Sequence, residues 1–246
     1  MGVVQESLRR MHSVSVAWMA EHANPEIRRR YFEQAEELDV LVESVLVKLQ
    51  LVALYSEILT QSYATLPSSE RSTHGTASYP MLLEATTGIN LEIQSHDAGL
   101  LARVAAFSGA VSACVNSADT LAQFLQRVYG LDLPSEPNMH HLCGVLSPHC
   151  LLAGYIAREK GLDWMGRLRG LRAECQHGAV LRTFIARMGQ GSTIPYVDAQ
   201  WSADGTERLV VSDFVQRIRG NAERLLAMVA DVVASSPQTA IQARSV

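Results

Sequence analysis

The chain predicts an all-α fold, and three observations carry that expectation. Long stretches place apolar residues three and four apart. Helix-starting and helix-ending residues flank those stretches. Alternating β-prone residues are confined to one short region near residue 200. A chain of 246 residues, 48 % apolar and 19 % charged, is globular and long enough to bury a large core.

In chain order, residues 4–20 predict a first helix that breaks near "AEHANPE". Asn24 is placed to cap a second helix with Pro25 at its first position. That helix runs to about Gln61, with Leu38, Leu41, Val42, Val45, Leu49, Val52 and Leu59 as one buried stripe. Its Arg28-Arg29-Arg30 run precedes Glu33, Glu36 and Glu37, a spacing that fits a salt-bridged exposed face. "ATLPSSERSTHGTASYP" (64–80) reads as an exposed loop, followed by a short helical or irregular segment. Ser95 caps a long helix from about Asp97 to Tyr129, ended by Gly130. Its Ala-, Ser- and Gly-rich middle lets a neighbouring helix approach closely. Residues 131–141 read as a loop, and "LCGVLSPHCLLAGYIAREKG" as one or two short helices limited by Pro148.

A helix is then expected from about Asp163 to Gln176, with Trp164, Leu168, Leu171 and Cys175 as its seam. Gly178 is placed to bend or end it before "AVLRTFIARMG". "TIPYVDAQW" and "ERLVV" around Asp204-Gly205 predict one small β-hairpin. Ser212 is placed to cap a last amphipathic helix, and the polar tail after Ser235 reads as disordered. The resulting division is an N-terminal helical extension (1–63), a loop region (64–96), a helical domain (97–234) and a tail (235–246).

A formal net charge of -4 gives no overall nucleic-acid footprint, so any polyanion contact has to be local. Four cysteines without a secretory signal read as reduced thiols in a cytoplasmic protein. The most apolar long stretch carries Glu43, Lys48 and Glu57, which does not suit a membrane span. The same stretch has more apolar surface than a lone helix leaves in water, so it packs on the bundle or on a partner chain; a homodimer or larger assembly is expected. His140, His141, Cys143, His149 and Cys150 are metal-capable types, but their spacing is not that of a zinc site, and the two cysteines read more simply as core thiols. No serine-nucleophile elbow, phosphate-cradling glycine loop or H-E-x-x-H occurs.

The stretch "LRGLRAECQHGAVL" (168–181) holds the candidate chemistry, Arg172 and His177. Five residues apart on a helix, they point about 140° from one another and can flank a cleft. A guanidinium suits phosphate oxygens, and an imidazole exchanges protons near neutral pH. Together they supply what RNA strand scission requires without a metal or cofactor: one group moves the proton of the 2′-hydroxyl or leaving oxygen, and the other stabilises charge building on phosphorus. Arg167, Arg169 and Arg182 concentrate positive charge beside them, which fits an anion-binding cleft or a solvated basic face. Arg172 as a snorkelling surface residue and His177 as a helix-end histidine on C-terminal carbonyls are the plain alternatives. Asn116 and Asp119, three apart on the long helix, are either exposed or hydrogen-bonded to the Arg/His helix as supports.

"RAECQH" resembles the R-x4-6-H motif of the HEPN superfamily, and its surroundings are similar too. Trp164 lies upstream on the same helix, "VNSADTLAQFL" looks like the family's first core helix, and "DFVQRIRGNAERLLAMV" like its closing one. The resemblance covers about residues 97–234. It implies a HEPN-like helical bundle that dimerises around a composite cleft, and a metal-independent endoribonuclease of toxin–antitoxin or antiviral defence systems. RNA would be the substrate, and an antitoxin or defence-complex protein a partner. Arg172 would then orient the phosphate and His177 act as acid or base, with Arg169 and Arg182 binding substrate. Active members often carry Asn, Asp or His after the arginine; Ala173 stands there here, leaving Glu174 or Arg169 to hold the site. Ala173 also favours the rival implication, an inactive HEPN-like assembly or RNA/nucleotide-binding subunit.

Overall fold

A computed structural model of the chain describes residues 2–22, 25–64, 95–158, 163–176, 196–202 and 205–241. They are mostly helical. The helices are α1 (Gly2–His22), α2 (Pro25–Ala64), α3 (Ser95–Tyr129), α4 (Met139–Val145), α5 (Leu151–Arg158) and α6 (Asp163–Gln176). Strands β1 (Tyr196–Ser202) and β2 (Gly205–Val210) follow, then helices α7 (Val211–Ser235) and α8 (Pro237–Ala240). The strands pair antiparallel from Tyr196 opposite Val210 to Gln200 opposite Thr206, with an irregularity before Ser202. The expected cap Asn24, the 65–94 region and the turn residues 203–204 lie outside the described residues.

Local chemistry accounts for several boundaries. Pro25 opens α2, where its missing N–H costs no hydrogen bond. Gly130 takes φ +60 after α3, and the Leu131 N–H donates to the Gln126 carbonyl at 3.1 Å, closing the helix end. Asn138 Oδ1 accepts from the His141 N–H at 3.0 Å, so α4 begins at Met139, inside the segment expected to be loop through 141. Cys150 Sγ accepts from the Ala153 N–H at 3.4 Å at the start of α5. Ser212 lies inside α7 rather than before it, since the helix begins directly after β2. The tail expected to be disordered from 235 forms α8, with Ala240 and Ile241 buried; residues 242–246 lie outside the described residues.

The chain divides into two compact units, and the division falls inside α2, α3, α6 and α7. The first comprises Met1–Gln50, Cys114–Met165 and Arg219–Val246. Here α1 buries Val4, Leu8, Met11, Ser15 and Met19, and α2 buries Leu38, Val42, Val45, Leu46 and Leu49. From α3 come Leu121, Phe124 and Leu125, and from α7 Leu226, Val229 and Val233. Each large side chain buried in this way contributes about 1.5–3 kcal/mol. Polar contacts fix which helix meets which. His12 Nε2 of α1 lies 2.9 Å from Asp39 Oδ1 of α2, and its ring packs 6.2 Å from that of Phe124 on α3. Glu37 Oε2 accepts from Arg127 Nη1 at 2.5 Å, and Lys48 Nζ donates to Thr120 Oγ1, both joining α2 to α3. Trp18 and Tyr129 pack with ring centroids 5.2 Å apart. α8 packs on α1 and α5.

The second unit comprises Leu51–Ala113 and Gly166–Ile218. Val52 and Leu59 of α2, Phe107, Ala110 and Val111 of α3, Leu168 of α6, and Phe214, Val215 and Ile218 of α7 are buried in it. Phe107 and Phe214 meet at 5.6 Å between ring centroids. Gly109 shows what the small residues of α3 accomplish: a Cβ there would lie 2.6 Å from Tyr55 Cζ, so its absence lets the α2 tyrosine lie on the α3 backbone. Among the described residues no helix is long and apolar enough to cross a membrane.

Candidate functional site

Helix α6 carries the described part of the Arg/His segment, ending at Gln176. Met165 and Leu168 are buried, whereas Gly166, Gly170 and Ala173 are exposed. Arg172 follows Leu168 by four residues and so continues the buried line, and Arg169 lies about 60° round the helix from Arg172. Both arginines are half-buried, and the Arg169 Nε is enclosed. Arg167 is half-buried as well, and all three engage other groups. The expected seam is thus only partly the buried one: Leu168 is buried, but Trp164, Leu171 and Cys175 are half-buried. The helix thus turns Met165 and Leu168 inward, exposes its glycines and alanine, and carries its arginines partly covered at the margin.

A guanidinium presents donors in a planar fork, which suits a phosphate or carboxylate. His177 and Arg182 lie outside the described residues, as do Gly178 and the stretch after it. Glu174 belongs to α6, but its side chain is likewise outside them. The two proposed supports lie on α3 in the first unit, while Arg169 and Arg172 belong to the second. Asn116 is exposed, and Asp119 is half-buried and acts electrostatically on Lys48.

Lys48 was not singled out by sequence reasoning. Burial lowers the pKa of its ammonium and Asp119 pulls it back up, while Thr120 Oγ1 accepts its hydrogen bond and itself donates to the Asn116 carbonyl at 2.8 Å. The available signal was its position at the margin of the apolar stripe of α2, four residues from buried Val52. This cluster joins two helices, which accounts for its polar groups.

The metal-capable segment has a simple explanation. His140, His141 and His149 are exposed, and Cys143 is half-buried with its thiol pushed up to about 11, first by burial and then by Cys150. Cys150 is buried and caps α5. Cys114 is shifted upward more strongly by burial. Cys114 and Cys143 therefore remain thiols near neutral pH and are poor nucleophiles. Among the described residues no three His, Cys, Asp or Glu side chains are grouped so as to hold a metal ion.

No family model matches the chain, and neither a curated protein nor a solved structure matches it.

Proposed function

We propose that the chain is a HEPN-like endoribonuclease that needs no metal. Arg172 holds the scissile phosphate, and His177 moves the proton of the attacking 2′-hydroxyl or the leaving oxygen. The observation that supports this reading is the pair of partly covered arginines on α6, Arg169 and Arg172, beside exposed Gly166, Gly170 and Ala173. Each guanidinium presents donors in a planar fork, a geometry that suits phosphate oxygens. In the sequence His177 directly follows the last residue of α6, and the HEPN resemblance would bring it to a shared cleft within a subunit or across a dimer. The toxin or antiviral setting rests on the HEPN resemblance, the homodimer on that resemblance and on the apolar surface of the second helix, and the cytoplasmic location on the cysteine and signal reading of the sequence.

The test is RNA cleavage in excess chelator by wild type, His177→Ala and Arg172→Ala, with far-UV circular dichroism confirming the fold. Loss in both variants supports the assignment, and cleavage unchanged in both discards it. A second reading is an inactive HEPN-like assembly or RNA-binding subunit, and one observation favours it: Ala173, exposed on α6, offers no polar group to hold an active site. No cleavage by wild type, with RNA binding lost in Arg172→Ala, would select that reading.

A further inference from the structure

Helix α2 aligns two kinds of exposed residue along its first-unit stretch. Val40 is 67 % exposed and Val47 50 %. Seven residues apart, they drift only about 20° around the helix, so they form one ridge. The ridge lies opposite the buried stripe of Leu38, Val42, Val45 and Leu49. Along one flank, Glu36, Glu43 and Gln50 repeat at the same seven-residue interval, and all three are exposed. Two other carboxylates of this helix serve the fold, Glu37 bonding Arg127 and Asp39 lying against His12.

We infer that the Val40–Val47 ridge and its Glu36–Glu43 flank form a docking surface for a basic amphipathic helix of another protein. A helix with an apolar line bordered by Lys or Arg would cover the valines and place its cations beside the two carboxylates. The charge of the flank decides among the possible occupants. A second copy related by a two-fold axis and lying antiparallel brings one acidic row against the other, since the same flank meets itself. An anionic lipid surface or a nucleic acid meets the same repulsion. A cationic helix satisfies both the ridge and the flank. The inference is independent of the reading of Arg172 and His177, because it concerns a different helix and is read by binding rather than cleavage.

The full chain would be titrated into three fluorescent helical peptides, followed by anisotropy. One has leucines along one face bordered by lysines, the second is the same composition shuffled to abolish that face, and the third has glutamates in place of the lysines. The first peptide alone should bind. Val40→Ser/Val47→Ser should weaken it by about tenfold or more, with circular dichroism and melting unchanged because both sites are exposed. Glu36→Lys/Glu43→Lys should weaken the lysine peptide and acquire affinity for the glutamate one. The proposal is overturned if the lysine peptide fails to bind, if the shuffled peptide binds equally well, or if either double variant leaves binding unchanged. Sedimentation velocity supplies a further outcome: a wild-type dimer that Val40→Ser/Val47→Ser dissociates would give the ridge to a second copy and overturn the heterologous partner.

Discussion

Helices α2 and α6 break the same rule in opposite directions. On α2, valines 40 and 47 face solvent while the opposite side is fully packed by Leu38, Val45 and Leu49. On α6, arginines 169 and 172 are half-covered while Gly166, Gly170 and Ala173 face solvent. An exposed valine forgoes burial energy, whereas the partly covered guanidinium groups of α6 engage other groups. Positions where local pattern and tertiary placement disagree are where natural chains keep their functional groups. The contrast also separates two roles: an apolar ridge suits a macromolecular surface, whereas covered cations suit a small charged group.

Leu168 and Arg172, four residues apart on one line of α6, give the largest expected effect and the first way to break the contrast. Leu168→Ala should cost about 2–5 kcal/mol, read by urea denaturation, because it opens a cavity beneath the helix. Arg172→Met, which keeps the length and removes the charge, should cost no more than about 1 kcal/mol, well under Leu168→Ala, while lowering RNA cleavage by about a hundredfold or more. A loss of stability in Arg172→Met matching that of Leu168→Ala would make the arginine a structural member of the bundle. The parallel test on α2 is smaller. Leu49→Ala should destabilise by about 2–5 kcal/mol, whereas Val47→Ser should stay within about 0.5 kcal/mol of wild type. Equal costs at the two positions would mean that Val47 is covered in solution.

The sequence makes the helices of this fold legible, but not their assembly or the chemistry of α6. The extent of Asp163–Gln176 is readable from its apolar period, and the stop at Gly130 from the glycine that ends the helix at φ +60. The start of α4 was missed because Asn138 caps a helix of only seven residues, too short to show a period. α8 was missed for a related reason: its polar composition hides that Ala240 and Ile241 find a buried place. The two compact units draw on three chain segments and two, and no linear reading of composition marks such boundaries. On α6 the spacing suggested a seam through Trp164, Leu168, Leu171 and Cys175, but Leu, Trp and Cys positions say little about which way a long arginine lies. Residue types at R-x4-H spacing were visible in the chain; the half-burial of Arg172 was not.

Lys48 offers the smallest effect, and it sharpens the contrast because it is a part-buried cation with a purely structural explanation. Its ammonium donates to Thr120 Oγ1, burial lowers its pKa from 10.5, and Asp119 opposes that shift. The unfolded chain therefore binds this proton more tightly than the folded chain does. As pH rises through the folded value towards 10.5, the folded state is relieved of an unfavourable charge and stability should increase. Below that window the contribution is constant. The measurement is the difference in melting temperature between wild type and Lys48→Met across the alkaline range, with wild type gaining as pH approaches 10.5. Asp119→Asn removes the opposing charge, lowers the Lys48 pKa further and should start the rise at lower pH. A difference that stays flat through 10.5 would make Lys48 an ordinary solvated lysine, and half-burial of a cation in this fold would then carry no energetic signature by which to judge Arg172.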